Sequence, residues 1–590
     1  MSLTMRRGRL QSLFSYLPEQ TYNWENRQES FKATSDVDTR PANIPATWLR
    51  RPLRRLLRPF ERRAVVDGIA FAGLTVVEGN SFEVLEPRKL RGELFPETWL
   101  CPACAIFRSG PRTDCPRRHG PMRQLVFVEY HRCGYISGLE APPCTNRCRA
   151  PMCLTGTASR SFADWSWVCS RCRRPADRNV YHSCPQCRNG TVRVLRPDAS
   201  SVFYSQYVKV VNPPGEGEMH VLDGPGIYEA AVAQGLGLLP PGMEGLRRGV
   251  NDSDTGASAE LARKRLMDDF GLSEEEAEEL LTRKAQRTAG EEDWAGAVAV
   301  LGLDEDSLAD IGEECVELSL SLAAFPLTFA DLLATSPSED VAELYRRDYP
   351  EMLSQLGLTE VTMLREFPLA YVVVGYTREQ RDPGPGVAFN FFPPTSGMFP
   401  MYGQRVVTEG LLFRLDPRRV VDWLVDSGIV SSPPSGIDPT AWLYQLLRPI
   451  DSVFDAPSDR ITAAVLGVVH SMSHRVIGAL GDRAGLRRES LSEHLLPYNL
   501  SFIVYADTRS DFVLGGLEHV YRNYLSECLS GLPDAVRCVF DPPCQLGSGA
   551  CAVCMYLSEN SCERFNSALS RHFLFGGTHD GIAWTPYWRT

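Results

Sequence analysis

Apolar positions recur at three- and four-residue spacing in some stretches of this chain and alternate or run together in others. That mixture predicts helices and strands in one protein. Helical spacing is clearest over 258–270, 273–287, 307–322 and 461–480. Ser273 followed three residues later by Glu276 forms a capping-box signal. Pro417 to Asp426 also reads as a helix. In 48–63, Leu49, Leu53, Leu56, Leu57 and Phe60 share a helical face, but Pro52 and Pro59 predict short pieces only. Strand patterns lie at 73–77, 81–85, 127–130, 202–204, 207–211, 369–374, 406–415 and 501–505. Pro- and Gly-rich breaks fall at 213–217, 238–242, 382–386 and 393–397.

The expected organisation is a multidomain α/β (α+β) protein in five parts. Residues 1–98 are an N-terminal arm and a small β-rich unit, and 99–200 a cysteine-rich zinc-ribbon module. A β-rich connector over 201–250, an acidic helical region over 251–365 and an α/β C-terminal domain over 366–590 complete it. The length of 590 residues suits about three to five domains. A run of about 18 apolar residues is absent, so no membrane span is expected. Basic residues near the start are followed by no apolar run, so a secretory leader is not expected either.

Charge changes the picture. The net charge of −11 averages two opposed segments. Residues 101–200 hold 16 Arg, no Lys and 6 acids, whereas 252–320 hold 20 acids and 6 bases. An arginine-only segment suits phosphate contact, because the guanidinium fork pairs with two oxygens. The bland alternative is a solvated surface that pairs with the acidic segment. Arg171, Arg173, Arg174 and Arg178 are the candidate nucleic-acid contacts. The seven arginines of 48–63 offer another such surface, or an ordinary surface helix.

The 18 cysteines cluster at short gaps, which points to metal in a reducing cytoplasm rather than to disulfides. Cys101 and Cys104 with Cys115 and His119 make a first four-ligand set. Cys133, Cys144 and Cys148 form a middle site whose fourth ligand is Cys153 or His131. Cys169, Cys172, Cys184 and Cys187 read as a ribbon of two knuckles. Trp165 and Trp167 beside it are expected to fill the small core rather than to stack on bases. A last cluster has Cys551 and Cys554 with Cys544 and Cys562, and Cys538 competes for a place. About four structural Zn²⁺ sites follow, each closed by protein ligands and therefore not catalytic. Cys315 stands apart as a core thiol. His470 and His474 lie one turn apart on an apolar helix and read as buried hydrogen-bonding groups. Gly515-Gly516 before a helix is a weak phosphate-binding signal.

The stretch Cys538 to Asp541-Pro542 to Cys544, the pair Cys551/Cys554, and Glu559 to Cys562 with Asn566 and Arg571 resemble the C-terminal domain of the DrmB family. That family partners a helicase in the bacterial DISARM anti-phage system. Further matching landmarks are Val374 to Arg378, Glu409-Gly410, His470 to His474, Ser501 to Tyr505 and Leu514 to Leu517. The resemblance covers roughly the last two fifths of the chain well and the cysteine-rich part loosely. It implies a partner, a large superfamily-two helicase, and a pathway, defence against phage. Neither a phosphate-cradling Gly-x-x-x-x-Gly-Lys-Ser/Thr loop nor a Gly-x-Ser-x-Gly elbow occurs. The expectation is therefore a cytoplasmic, DNA-binding accessory subunit without a catalytic centre. The alternatives are a metal-dependent nuclease using His470 and His474, or a zinc scaffold that does not touch DNA.

Overall fold

The computed structural model describes residues 2–5, 13–14, 16–23, 30–33, 38–211, 213, 221–222, 224, 226–253, 294–323, 325–394, 397–483, 488–507, 515–558 and 561–588. The helices expected over 258–270 and 273–287, with the Ser273 capping box, lie outside these residues, as do Leu514 and Glu559. The protein is a multidomain mixture of helices and sheets. It divides into two compact units. The first comprises Met1–Val210 and Ala370–Arg405, the second Val211–Leu369 and Val406–Thr590. Residues 370–405 of the expected C-terminal domain thus fold with the first unit.

In the first unit the long strand Phe82–Leu94 is the organising element. It pairs antiparallel with Ser2–Met5, Ser30–Ala33 and Asp38–Pro41, and in parallel with Phe399–Tyr402. The arginine-rich segment forms one helix, Ala46–Asp67, with Pro52 and Pro59 inside it. Each proline removes one ladder N–H. Burial of Leu49, Leu53, Leu56, Leu57 and Phe60 along one stripe carries the helix past them. Gly68 ends it in the left-handed conformation, φ 67°, donating its N–H back to the last turn. Its arginines are engaged with neighbours, for example Arg63 with Asp67 and Arg54 with Glu78. The strand expected at 73–77 is instead a short helix, Gly73–Glu78. Five residues of loose alternation, with Gly73 and Thr75 among them, cannot distinguish a strand from a helical turn.

The cysteine-rich module hangs on three small sheets: Thr98–Leu100 with Phe107–Ser109 and Arg123–Gln124, Val128–Tyr130 with Ile136–Gly138 and Arg193–Leu195, and Met152–Thr155 with Ser166–Cys169. Trp165 and Trp167 are buried with Phe107, Leu154 and Val194, as core side chains. The module is held within this unit by Arg378, which is fully buried. Its Nη1 donates to the Val202 carbonyl at 2.6 Å, Nε to Gly134 at 3.0 Å and Nη2 to Glu19 at 3.3 Å. The guanidinium also lies over the Tyr376 ring, 4.8 Å from its centroid. The next residue, Glu379, binds Arg132 and Arg193 of the module.

In the second unit the helix Arg460–Arg483 is long and apolar enough, by length and composition, to cross a membrane. Of its apolar window, 78% is buried inside the protein, the pattern of a core helix. Strands Leu491–Leu496 and Ser501–Ala506 pair antiparallel, and the second also pairs with 410–414. Every residue of both strands is buried. Helix Pro417–Asp426 starts where expected, because Asp416 accepts the Arg418 N–H at 2.9 Å and Pro417 presets the first turn. Helix Glu305–Ala323 buries Cys315, whose sulfur meets Tyr444 and Asn499.

Candidate metal centres

Each knuckle in the module is the same backbone device. In Cys101-Pro-Ala-Cys104, the Ala105 N–H donates to the Cys101 carbonyl at 2.9 Å, and Ala105 takes φ 56°. Arg173 repeats this on Cys169 with φ 61°, and Arg188 on Cys184 with φ 56°. Arg118 closes the Cys115 turn likewise, with φ 61°. The tight turn aims the side chains on either side of it at one point.

Three groups in the module assemble on such turns and another forms near the C-terminus, each with its ligand atoms within 4.8 Å of one another. Cys101, Cys104, Cys115 and His119 come together as expected. Sulfurs of Cys104 and Cys115 are 3.5 Å apart, and His119 Nδ1 is 3.6 Å from both Cys101 and Cys115. A tetrahedral ion with bonds of about 2.3 Å to sulfur and about 2.0 Å to nitrogen implies edges of about 3.8 and about 3.5 Å. The residues therefore fit zinc by donor type and by spacing.

The other two module groups correct the sequence reading. Cys169 and Cys172 do not join Cys184 and Cys187. Cys144, Cys148, Cys169 and Cys172 form one group, with Cys144 and Cys172 sulfurs 3.6 Å apart. His131, Cys133, Cys184 and Cys187 form the other, with Cys133 to Cys184 at 3.6 Å and His131 Nδ1 to Cys187 at 3.4 Å. The pairing is nested. Strand Val128–Tyr130 pairs with Arg193–Leu195 and so carries His131 and Cys133 to the outer knuckle. The hairpin of 152–155 with 166–169 folds Cys169 back on Cys144 and Cys148. Cys153 belongs to neither group. It faces an apolar pocket with Trp99, Ile106 and Met122, and burial pushes its thiol pKa up.

The C-terminal group is Cys538, Cys544, Cys551 and Cys554, with sulfur separations of 3.6–3.7 Å. Cys538 displaces Cys562 from the expected set. The frame comes from Asp541, which accepts the Cys538 N–H at 2.8 Å and pairs with Arg571. Asn566 exchanges two hydrogen bonds with Leu557, both at 2.9 Å. Cys562 instead lies beside His470, His474 and Glu493 in the core. Nothing in the sequence pattern singled out Glu493. The only signal is the polar run Ser492-Glu493-His494 inside an otherwise apolar strand.

In two of the module groups one sulfur is favoured as thiolate, whereas burial pushes Cys104 up and the Cys172 thiol with burial pushes Cys148 up. The Cys148 N–H leads in holding the Cys144 thiol down at about 6, against burial and with help from Asn146. At Cys115 burial opposes, but the Arg117 N–H and the neighbouring thiols bring the value down to about 7. A deprotonated sulfur is the form that binds metal.

Of the expected nucleic-acid contacts, Arg171, Arg173 and Arg174 are exposed and have no ion pair or hydrogen bond from their side chains among the described residues. Arg178 differs, being half-buried with Nη2 on the Glu140 carbonyl at 2.9 Å. The Gly515-Gly516 turn is not open to phosphate, because Glu409 accepts the Leu517 N–H at 3.0 Å and the Glu518 N–H at 3.4 Å.

A family model described as a domain of unknown function (DUF8724) matches residues 8–204, which include the three module groups. No curated protein matches the chain.

Proposed function

We propose that this chain is a cytoplasmic, zinc-stabilised accessory subunit that helps a superfamily-two helicase engage DNA, in a bacterial defence system of the DISARM type. In this reading the four Cys/His groups hold Zn²⁺ and take the place of a larger hydrophobic core. Helicase and pathway rest on the resemblance of the C-terminal landmarks to the DrmB family. DNA contact rests on the arginines.

The observation that carries the DNA reading is where those arginines sit. Arg118, Arg147, Arg149, Arg173 and Arg188 all have positive φ and are exposed. Left-handed backbone costs a residue bearing a Cβ about 1 kcal/mol or more, and glycine would avoid that. Five arginines at such positions, on turns fixed by metal ligands, make a rigid cationic display that suits a polyanion. The nuclease alternative has no comparable support, since His470 and His474 are fully buried.

The test is DNA affinity against salt concentration for the full chain and for R118Q/R147Q/R149Q/R173Q/R188Q. Loss of five phosphate contacts should lower the slope of log K against log salt by about 4.5 on duplex DNA. An unchanged slope and affinity would move the reading to a scaffold without DNA contact. Purification from the native host, with a large helicase recovered in equal amount, tests the partner separately.

A further inference from the structure

The geometry points to a fifth metal centre, in the core of the second unit, made by His470, His474, Glu493 and Cys562. The ligand would be a divalent, borderline-soft transition metal, with zinc suited best by the donor set. This goes beyond the proposed function and does not depend on DNA binding.

The two histidines stand one turn apart on the helix Arg460–Arg483, on the same face. Glu493 comes from the strand Leu491–Leu496, and Cys562 from the segment after the Cys551/Cys554 knuckle. Their ligand atoms lie within 4.8 Å of one another. His470 Nε2 is 3.0 Å from Glu493 Oε1 and 3.3 Å from Cys562 Sγ. His474 Nε2 is 3.2 Å from the same carboxylate oxygen. None of the four side chains reaches solvent by more than 2%.

Proton positions decide what this arrangement wants. His474 Nδ1 is 2.7 Å from the Met555 carbonyl, which can only accept, so Nδ1 carries the proton. In a neutral ring Nε2 would then turn a lone pair toward a carboxylate oxygen. That oxygen already accepts the Glu563 N–H at 3.1 Å, and the other accepts the Ser473 hydroxyl. Cys562 Sγ accepts N–H groups from Asn566 at 3.1 Å and Arg564 at 3.4 Å, which suits a thiolate. Donors from outside thus reach the carboxylate and the sulfur, and a backbone acceptor holds the far side of His474, while electron pairs converge on the middle. A dication there, with one carboxylate, one thiolate and two neutral imidazoles, makes a buried group of zero net charge. Protons alone would need a buried imidazolium at His474 to avoid a lone pair against the carboxylate. The bond from His474 Nδ1 to a backbone carbonyl is also the usual outer partner of a metal-bound histidine.

With four protein ligands the centre is closed and structural. It would fasten the core helix to the neighbouring strand and to the chain that leaves the C-terminal cysteine group.

The experiment is zinc content of the purified full chain, wild type against C562S and H474Q. Each variant should lose one equivalent, and C551S should lose a different one, so that C551S/C562S loses two. The comparison is a difference, so it does not depend on how many other sites are filled. Wild-type zinc content in C562S and H474Q would overturn the proposal. Should both variants fail to fold, zinc X-ray absorption on the wild-type chain decides. Five filled centres give about 3 sulfurs to 1 nitrogen or oxygen per zinc. A ratio of about 3.5 to 0.5, with four zinc ions per chain, would overturn it.

Discussion

Replacing Cys144 with serine should open one metal group of the module and leave its nested partner shut. Cys144 contributes one of four sulfurs to the group with Cys148, Cys169 and Cys172. Structural zinc is worth on the order of 10–16 kcal/mol in small peptide sites, so one ligand in four carries roughly 3–4 kcal/mol. Affinity at that group should fall by about two to three orders of magnitude. A chelator that leaves the wild type intact should then strip this group. Cys148, Cys169 and Cys172 would become reactive. Cys184 and Cys187 would stay protected, because His131 and Cys133 hold them. The assay is pulsed alkylation in the presence of chelator, with modified cysteines located by mass spectrometry. Cys133→Ser should give the reverse pattern, with Cys184 and Cys187 labelled and Cys169 and Cys172 spared. Labelling of all four knuckle cysteines in either variant would refute the nested pairing and restore the simple ribbon.

Three further outcomes follow from buried charge. Arg378→Met leaves three backbone carbonyls without their donors, and should cost about 3–5 kcal/mol in denaturant titration. A loss under about 1 kcal/mol would mean water replaces the guanidinium. Glu409→Ala uncaps the helix Gly516–Asn523 and should cost about 1–2 kcal/mol, measured in the same way. His494 sits between Glu317 and Glu563, at 3.1 and 3.3 Å. Burial opposes its charge, but Glu563 and then Glu317 outweigh it and raise its pKa to about 10. A raised histidine stabilises fully below its ordinary value of about 6.5, and that contribution fades as pH climbs toward about 10. The denaturation midpoint should therefore fall over that range in the wild type and stay flatter in His494→Gln; equal slopes would exclude the ion pair.

Much of this protein is legible along the chain. Helix Pro417–Asp426 could be read to the residue because its start signals are local: an aspartate cap followed by proline. The Cys101/Cys104/Cys115/His119 group was readable for the same reason, since its ligands lie on two adjacent turns. Trp165 and Trp167, by residue type beside the cysteine pairs, and Cys315, alone on a helical stretch, were placed in the core, and they lie there. What failed was long-range partnership. Spacing defines a knuckle, but which knuckles share an ion depends on strand pairing, here of Val128–Tyr130 with Arg193–Leu195. The exchange of Cys562 for Cys538 has the same cause, because the core helix with His470 draws Cys562 away from its sequence neighbours. Pro52 and Pro59 were read as helix breaks from local geometry, and burial of a continuous apolar stripe outweighed them. By itself, then, the sequence determined the residue types that could bind metal, the arginine segment and several helices and strands, all set by contacts within a few residues. Only the tertiary structure decided which ligands meet, that Glu409 occupies the Gly515-Gly516 turn, and that Glu493 joins two histidines and a cysteine. Those contacts join residues far apart in the chain, and only packing of the core brings them within bonding distance.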